Sequence, residues 1–226
     1  MLIYLKLNNG QSHRRNLPYS STTSFFNEVL LLARTCHYEE VHTKQGTRLA
    51  LQIFDQLLEL SNFKKKENFF LLCTAYLYDI GVQTEGTKAH HKTALHITPS
   101  TPILQFDSKE RLIARYHRKA LPSNNHSHFA ALDDQEKKMV ALLAAILRVA
   151  DGLDYCHENN IEWVKVSLHK HKIVFKCKSR RKNIDEELSS AARKSDLVKK
   201  IFSRKIVFIK DQKIPSPFCE KIISNF

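Results

Sequence analysis

Glycine is scarce in this sequence. Five are spread over 226 residues, at Gly10, Gly46, Gly81, Gly86 and Gly152, and they never cluster. That excludes a Gly-rich backbone cradle for phosphates, a Walker-type loop and a Gly-x-Ser-x-Gly nucleophile turn. Six prolines complete a composition that is neither loop-rich nor collagen-like. Cysteine is also sparse: Cys36, Cys73, Cys156, Cys177 and Cys219 are an odd set with no CxxC pair. Neither a disulfide framework nor a zinc ribbon fits, and a reduced, cytoplasmic protein with mostly buried thiols is expected. No run of about 18 apolar residues occurs, so no membrane span is expected. The opening Met1–Leu7 segment lacks the length and flanks of a signal peptide.

What is present is a 42% hydrophobic chain, able to build a real core, with a formal charge of +13. The charge is uneven. Residues 161–226 hold 17 Lys and Arg against 7 Asp and Glu, a net +10 of that total. A basic C-terminal third attracts polyanions such as polyphosphate, nucleic acid or an acidic protein face, or serves only as a solubilising surface.

Periodicity divides the chain into a polar N-terminal arm (1–22), a helical domain (23–158) and a small basic α+β unit (159–226). The fold class is mainly α. Helices are expected over Phe25–Cys36, capped by Ser24, and over Glu39–Leu60, Asn68–Ile80, His90–Ile97 and Asp107–Lys119. Asp134–Leu153, rich in Ala and Leu, is the strongest helix. Alternation then predicts strands at Trp163–Leu168 and Ile173–Lys178, joined by a turn at His169–Lys172. A helix over Ile184–Phe202 and a strand over Ile206–Ile209 complete a β-β-α-β unit.

The most distinctive segment is Ile113–Pro122, which sets Arg115, His117, Arg118 and Lys119 within five residues. On a helix, Arg115, Arg118 and Lys119 share one face. Guanidinium forks and an ammonium suit a phosphate-rich anion, and Lys92 could join the patch in the folded bundle. Salt-bridging across the bundle is the alternative. Arg148 lies in an apolar helix interior and is expected to pair with Asp151, three residues on. His126 and His128 lie in the polar stretch Ser123–Phe129, read as a solvated loop.

Ile113–Pro122 and Leu142–Asp154 together resemble the C-terminal HD-type helical domain of the exopolyphosphatase and guanosine pentaphosphatase family. The likeness extends from about Tyr38 to about Ile209. The resemblance implies an HD-type helical bundle that gathers His and Asp from several helices around a divalent metal such as Mn, Fe, Zn or Mg. On this chain the ligand positions fall at His42, Tyr78-Asp79 and Asp151, with His91 and His117 as further inward candidates. The family pattern has histidine where Tyr78 stands, and a neutral phenol is a poor substitute for imidazole. His42, Asp79 and Asp151 therefore form either an incomplete metal site or a buried hydrogen-bonded cluster without metal. The segment before the basic signature is about four residues shorter than in relatives, close to one helical turn.

In that family, hydrolysis belongs to N-terminal actin-like domains with Gly-rich loops, and this sequence contains none. The expected function is a module that binds polyphosphate or a related phosphorylated ligand through Lys92, Arg115, His117, Arg118 and Lys119, with little or no catalysis. A separate catalytic chain or a second copy is the expected partner. The enzymatic alternative is a metal-dependent HD-type phosphohydrolase. Nucleic-acid binding through the basic third ranks below both, for want of interleaved aromatics.

Overall fold

The computed structural model describes residues 19–57, 65–80, 108–118, 120–179 and 181–211. The described elements are α1 (Tyr19–Thr35), α2 (Glu40–Leu57), α3 (Lys65–Leu77), α4 (Ser108–Tyr116), α5 (Ser127–Ala130) and α6 (Asp134–Leu153). They continue with β1 (Ile161–Leu168), β2 (Lys172–Ser179), α7 (Asp185–Lys194), α8 (Asp196–Phe202) and β3 (Lys205–Asp211). The architecture is mainly helical with one small sheet. The helix expected at His90–Ile97 lies outside the described residues.

Helix α6 is the hub. Its start is fixed by a capping box: Asp133 accepts from the Glu136 N–H at 2.7 Å, and Glu136 accepts from the Asp133 N–H at 3.2 Å. From Leu142 to Leu153 every residue is buried, so this half of the helix has no solvent stripe and its neighbours must surround it. Helices α2, α4, α7 and α8 do so. A Cβ added at Gly152 would lie 2.7 Å from the Ala191 Cα, so the missing side chain is what allows α7 to cross α6 so closely. One hydrophobic core runs from α2, α4 and α6 into the sheet, through Leu49, Ile113, Leu143, Val164 and Phe175 among others. A satellite cluster of Val29, Leu32, Ala33, Cys73, Leu77 and Ile80 joins α1 to α3.

The sheet order is β1-β2-β3, with β1 and β2 antiparallel and β2 and β3 parallel. The α7–α8 connection supplies the crossover that a parallel pair requires. The outer edge of β1 is closed by side chains of α2. Gln45 Nε2 donates to the Ile161 carbonyl at 2.6 Å, and Arg48 reaches the Ile161 and Glu162 carbonyls. Gln52 Oε1 accepts from the Val164 N–H at 3.2 Å. Gln56 donates to the Val164 carbonyl and accepts from the Val166 N–H, both at 2.9 Å. The polar face of a helix thus satisfies an edge that would otherwise need another strand.

Helix α3 runs Lys65–Leu77 against an expected Asn68–Ile80, and each strand runs one or two residues beyond an expected end. Four further differences from the sequence reading trace to particular contacts. Helix α1 begins at Tyr19, inside the expected arm, rather than at Ser24. Packing of Phe25 on Phe69 and Phe26 on Tyr76 anchors it, and an anchored helix propagates cheaply through Ser and Thr. Helix α4 stops at Tyr116, short of Lys119, and Arg148 explains the stop. Its Nη1 donates to the carbonyls of Tyr116 (3.2 Å) and Arg118, which would otherwise be orphaned at a helix end. The same guanidinium breaks the helix expected over Ile184–Phe202: Nε takes the Lys194 carbonyl at 3.3 Å, and α7 ends there. The stretch 123–133 holds a short helix, α5, because buried Phe129 packs edge-on against Tyr116.

Candidate functional site

Five helix termini meet at one place. His42 is in the first turn of α2, and Tyr78-Asp79 follow the last turn of α3. His117 follows α4, Asp151 and Asp154 close α6, and Lys194 ends α7. Four of these termini are C-terminal, where the helix dipole favours positive charge.

His42 is the centre and its side chain is 1% exposed. Its Nδ1 lies 2.8 Å from Asp154 Oδ2, whose other oxygen accepts from the Asn159 N–H at 3.1 Å. Its Nε2 faces three oxygens: Tyr78 Oη at 2.8 Å, Asp79 Oδ2 at 3.3 Å and Asp151 Oδ1 at 3.4 Å. Lys194 Nζ donates to Asp151 Oδ2. His117 donates from Nδ1 to the Ala114 carbonyl, which leaves its Nε2 3.6 Å from Asp79 Oδ1. The His157 ring stacks on His42 at 3.7 Å and is held by Glu39, 2.8 Å from its Nδ1. Gly46 lets the phenol in: a Cβ there would sit 3.2 Å from Tyr78 Oη.

The electrostatics follow from this packing. Burial opposes a charged imidazole at His42, but hydrogen bonds to Asp151, Asp154 and Asp79 outweigh it and push the pKa up to about 12. Burial would raise Asp151, yet the Lys194 charge and the His42 hydrogen bond carry it down to about 2. Burial, reinforced by Asp79, Asp151 and Asp154, raises Tyr78 well above its usual value, so the phenol stays neutral. The site is therefore a set of carboxylates facing a protonated imidazole and an ammonium.

His42, Asp79 and Asp151 each offer a ligand atom, and the three atoms lie within 4.8 Å of one another. One imidazole and two carboxylates suit a divalent ion of the Mn, Fe, Zn or Mg kind. The fit is incomplete. Tyr78 takes the place of the pair's imidazole and lies against the very nitrogen that would face an ion, while Lys194 already engages Asp151.

The structure brings together His42, Asp79, Asp151 and His117, but not the expected cationic face. Because α4 ends at Tyr116, Arg118 does not continue the helical face of Arg115, and buried His117 turns into the carboxylate cluster. Arg115 lies with its guanidinium 5.9 Å from the Tyr116 ring centroid. Lys92, His91 and Lys119 lie outside the described residues. The expected Arg148–Asp151 pair is replaced. Arg148 makes a fork to Asp196 (2.9 and 3.0 Å), because its guanidinium points to the α7–α8 junction, while Asp151 turns to His42 and Lys194. His126 is not simply solvated: it stacks on Tyr116 and hydrogen-bonds its Oη at 2.8 Å, whereas His128 is exposed. Sequence reasoning missed Asp154 and Lys194. The three-residue spacing of Asp151 and Asp154 was a usable signal; Lys194, 43 positions from Asp151, gave none.

A helical domain with a buried histidine–aspartate centre is what this fold and site define. More particularly, the chain belongs to the Ppx/GppA phosphatase, domain III family, whose model matches residues 27–194. The matched region contains all the clustered residues and ends before β3. No curated protein matches the chain. No described helix is long and apolar enough to cross a membrane.

Proposed function

We propose that the chain is an exopolyphosphatase-like module of HD type that binds polyphosphate or a related phosphorylated ligand, with little or no catalysis of its own. The observation that carries this reading is that the acidic centre is answered in part from within: His42 and Lys194 already engage its three carboxylates, Asp79, Asp151 and Asp154, and Tyr78 takes the ligand position of an imidazole. Phosphate recognition falls to the end of α4 and the turn after it, through Arg115 and Arg118, with Lys92 and Lys119 as expected further contacts. His117, buried against Asp79, orients that turn. The partner is a separate catalytic chain or a second copy.

The ligand geometry of His42, Asp79 and Asp151 favours one second reading, a metal-dependent phosphohydrolase. An ion held there would supply Lewis acidity and an activated water. Elemental analysis of purified protein, beside polyphosphate titration, separates the two. Substoichiometric metal, with polyphosphate binding that Arg115→Ala/Arg118→Ala weakens and renders less salt-sensitive, is expected. Tyr78→His, which completes the His-Asp pair, is expected to tighten Mn²⁺ binding about tenfold or more. Stoichiometric metal and a phosphatase activity abolished by His42→Ala would favour the second reading instead.

A further inference from the structure

Side chains on the two faces of the sheet are sorted by register. On β2, Ile173, Phe175 and Cys177 point into the main core, together with their partners Leu168, Val166 and Val164 on β1. The alternate residues Lys172, Val174, Lys176 and Lys178 belong to the opposite face, because successive side chains alternate. Register adds Trp163, Lys165 and Ser167 from β1, and Lys205, Val207, Ile209 and Asp211 from β3. None of these residues belongs to the core cluster.

Two pairings on this face oppose like charges. Lys165 stands directly across from Lys176, and Lys172 directly across from Lys205. Like charges in register destabilise a sheet, and this face has two such pairs where one acidic residue in each would have stabilised it. Lys178 is balanced by Glu162 at 3.4 Å. Among the described residues, Lys165, Lys172, Lys176 and Lys205 are in no ion pair. Three of them are exposed and Lys176 is half-buried. Their apolar stems flank a floor of Val174 and Val207, with exposed Ile209 next to Lys176.

We propose that this lysine face is a second anchoring site for a phosphate polyanion, separate from the His42 cluster. Its occupant is a linear inorganic polyphosphate. The face carries four ammonium groups in two facing pairs, Lys165 with Lys176 and Lys172 with Lys205, and ammonium binds phosphate as a point charge. Trp163 is its sole aromatic among the described residues, so a row of stacked bases finds no platform. The inference rests on the polyphosphate reading above and adds where a chain too long for the α4 turn continues.

The register provides a discriminating test. Lys165→Glu and Lys205→Glu each convert a repulsive pair into an attractive one, so the double variant is expected to melt no lower than the wild type. It is also expected to bind long-chain polyphosphate about tenfold or more weakly, with a salt slope reduced by about one for each lysine replaced. Short polyphosphate, confined to the α4 turn, is expected to bind this variant as it binds the wild type. Unchanged long-chain affinity in the double variant overturns the lysine face and leaves the α4 site standing. Binding of single-stranded RNA in preference to polyphosphate, lost in the same variant, overturns the occupant. No binding of either polymer by the wild type overturns both sites.

Discussion

At the scale of the residue, His42 sets the behaviour of the site. In the metal-free protein its folded pKa, about 12, lies above the ordinary imidazole value of about 6.5. The sign of the linkage is then fixed. The stabilisation is complete below about pH 6.5 and declines as pH rises towards 12, by at most about 1.4 kcal/mol per pH unit. Asp151 acts in the opposite sense, its contribution being present above its usual carboxylate range and lost as pH falls towards 2. Denaturant melts of wild type and His42→Gln between pH 6 and 9 are expected to show the wild type losing its margin steadily and the variant staying nearly flat. Parallel slopes would mean that His42 is neutral in the folded protein. His42, Asp79 and Asp151 were legible in the sequence because the family pattern names them. Lys194 was not, since nothing local marks a lysine whose partner is contributed by another helix.

At the scale of the element, Gly152 gives the sharpest prediction. Alanine in a helix interior ordinarily gains about 1 kcal/mol over glycine. Here its Cβ would stand 2.7 and 2.9 Å from the backbone Cα and N of Ala191. Backbone cannot move aside as a side chain does, so overpacking of about 1–3 kcal/mol wins. Gly152→Ala is expected to lower thermal stability and to loosen α7, read as faster amide exchange across Asp185–Lys194; a stabilised variant would contradict the crossing geometry. Helix α6 was legible to the residue because its signals are local: a run of Ala and Leu, then Gly152. The ends of α4 and α7 were not, because both are set by a single guanidinium, Arg148, which lies at least 30 residues away from the carbonyls it takes. Propensity describes a helix's own residues and is silent about a distant donor that captures its last carbonyls.

At the scale of the whole molecule, the helices and the sheet share a core, since Val164, Ile173 and Phe175 pack with Leu143 and Ile146. A chain cut after residue 158 would lose that cover, and also the backbone partners of Gln45, Gln52 and Gln56. Thermal unfolding of the full chain is expected as one cooperative transition by circular dichroism and Trp163 fluorescence, with the truncated chain failing to give a sharp melt. Two separated transitions would show that the helical part and the basic unit at 159–226 are independent domains. The hairpin and the last strand were readable from alternation, and the crossover as a helix without its break at Ser195. Their docking was not, because the α2 face that holds β1 is polar and reads as a surface.

That polar face changes which substitutions the protein tolerates. Gln45, Gln52 and Gln56 look interchangeable with any hydrophilic residue on an outward helix. Yet each amide is matched to a particular main-chain group, and Gln56 presents both a giver and a taker at once. Glutamate in that position would set anionic oxygen against a carbonyl, and lysine would offer nothing to an N–H. Among descendants of this sequence, drift at position 56 is thus confined to an amide, however freely its outward appearance invites charge.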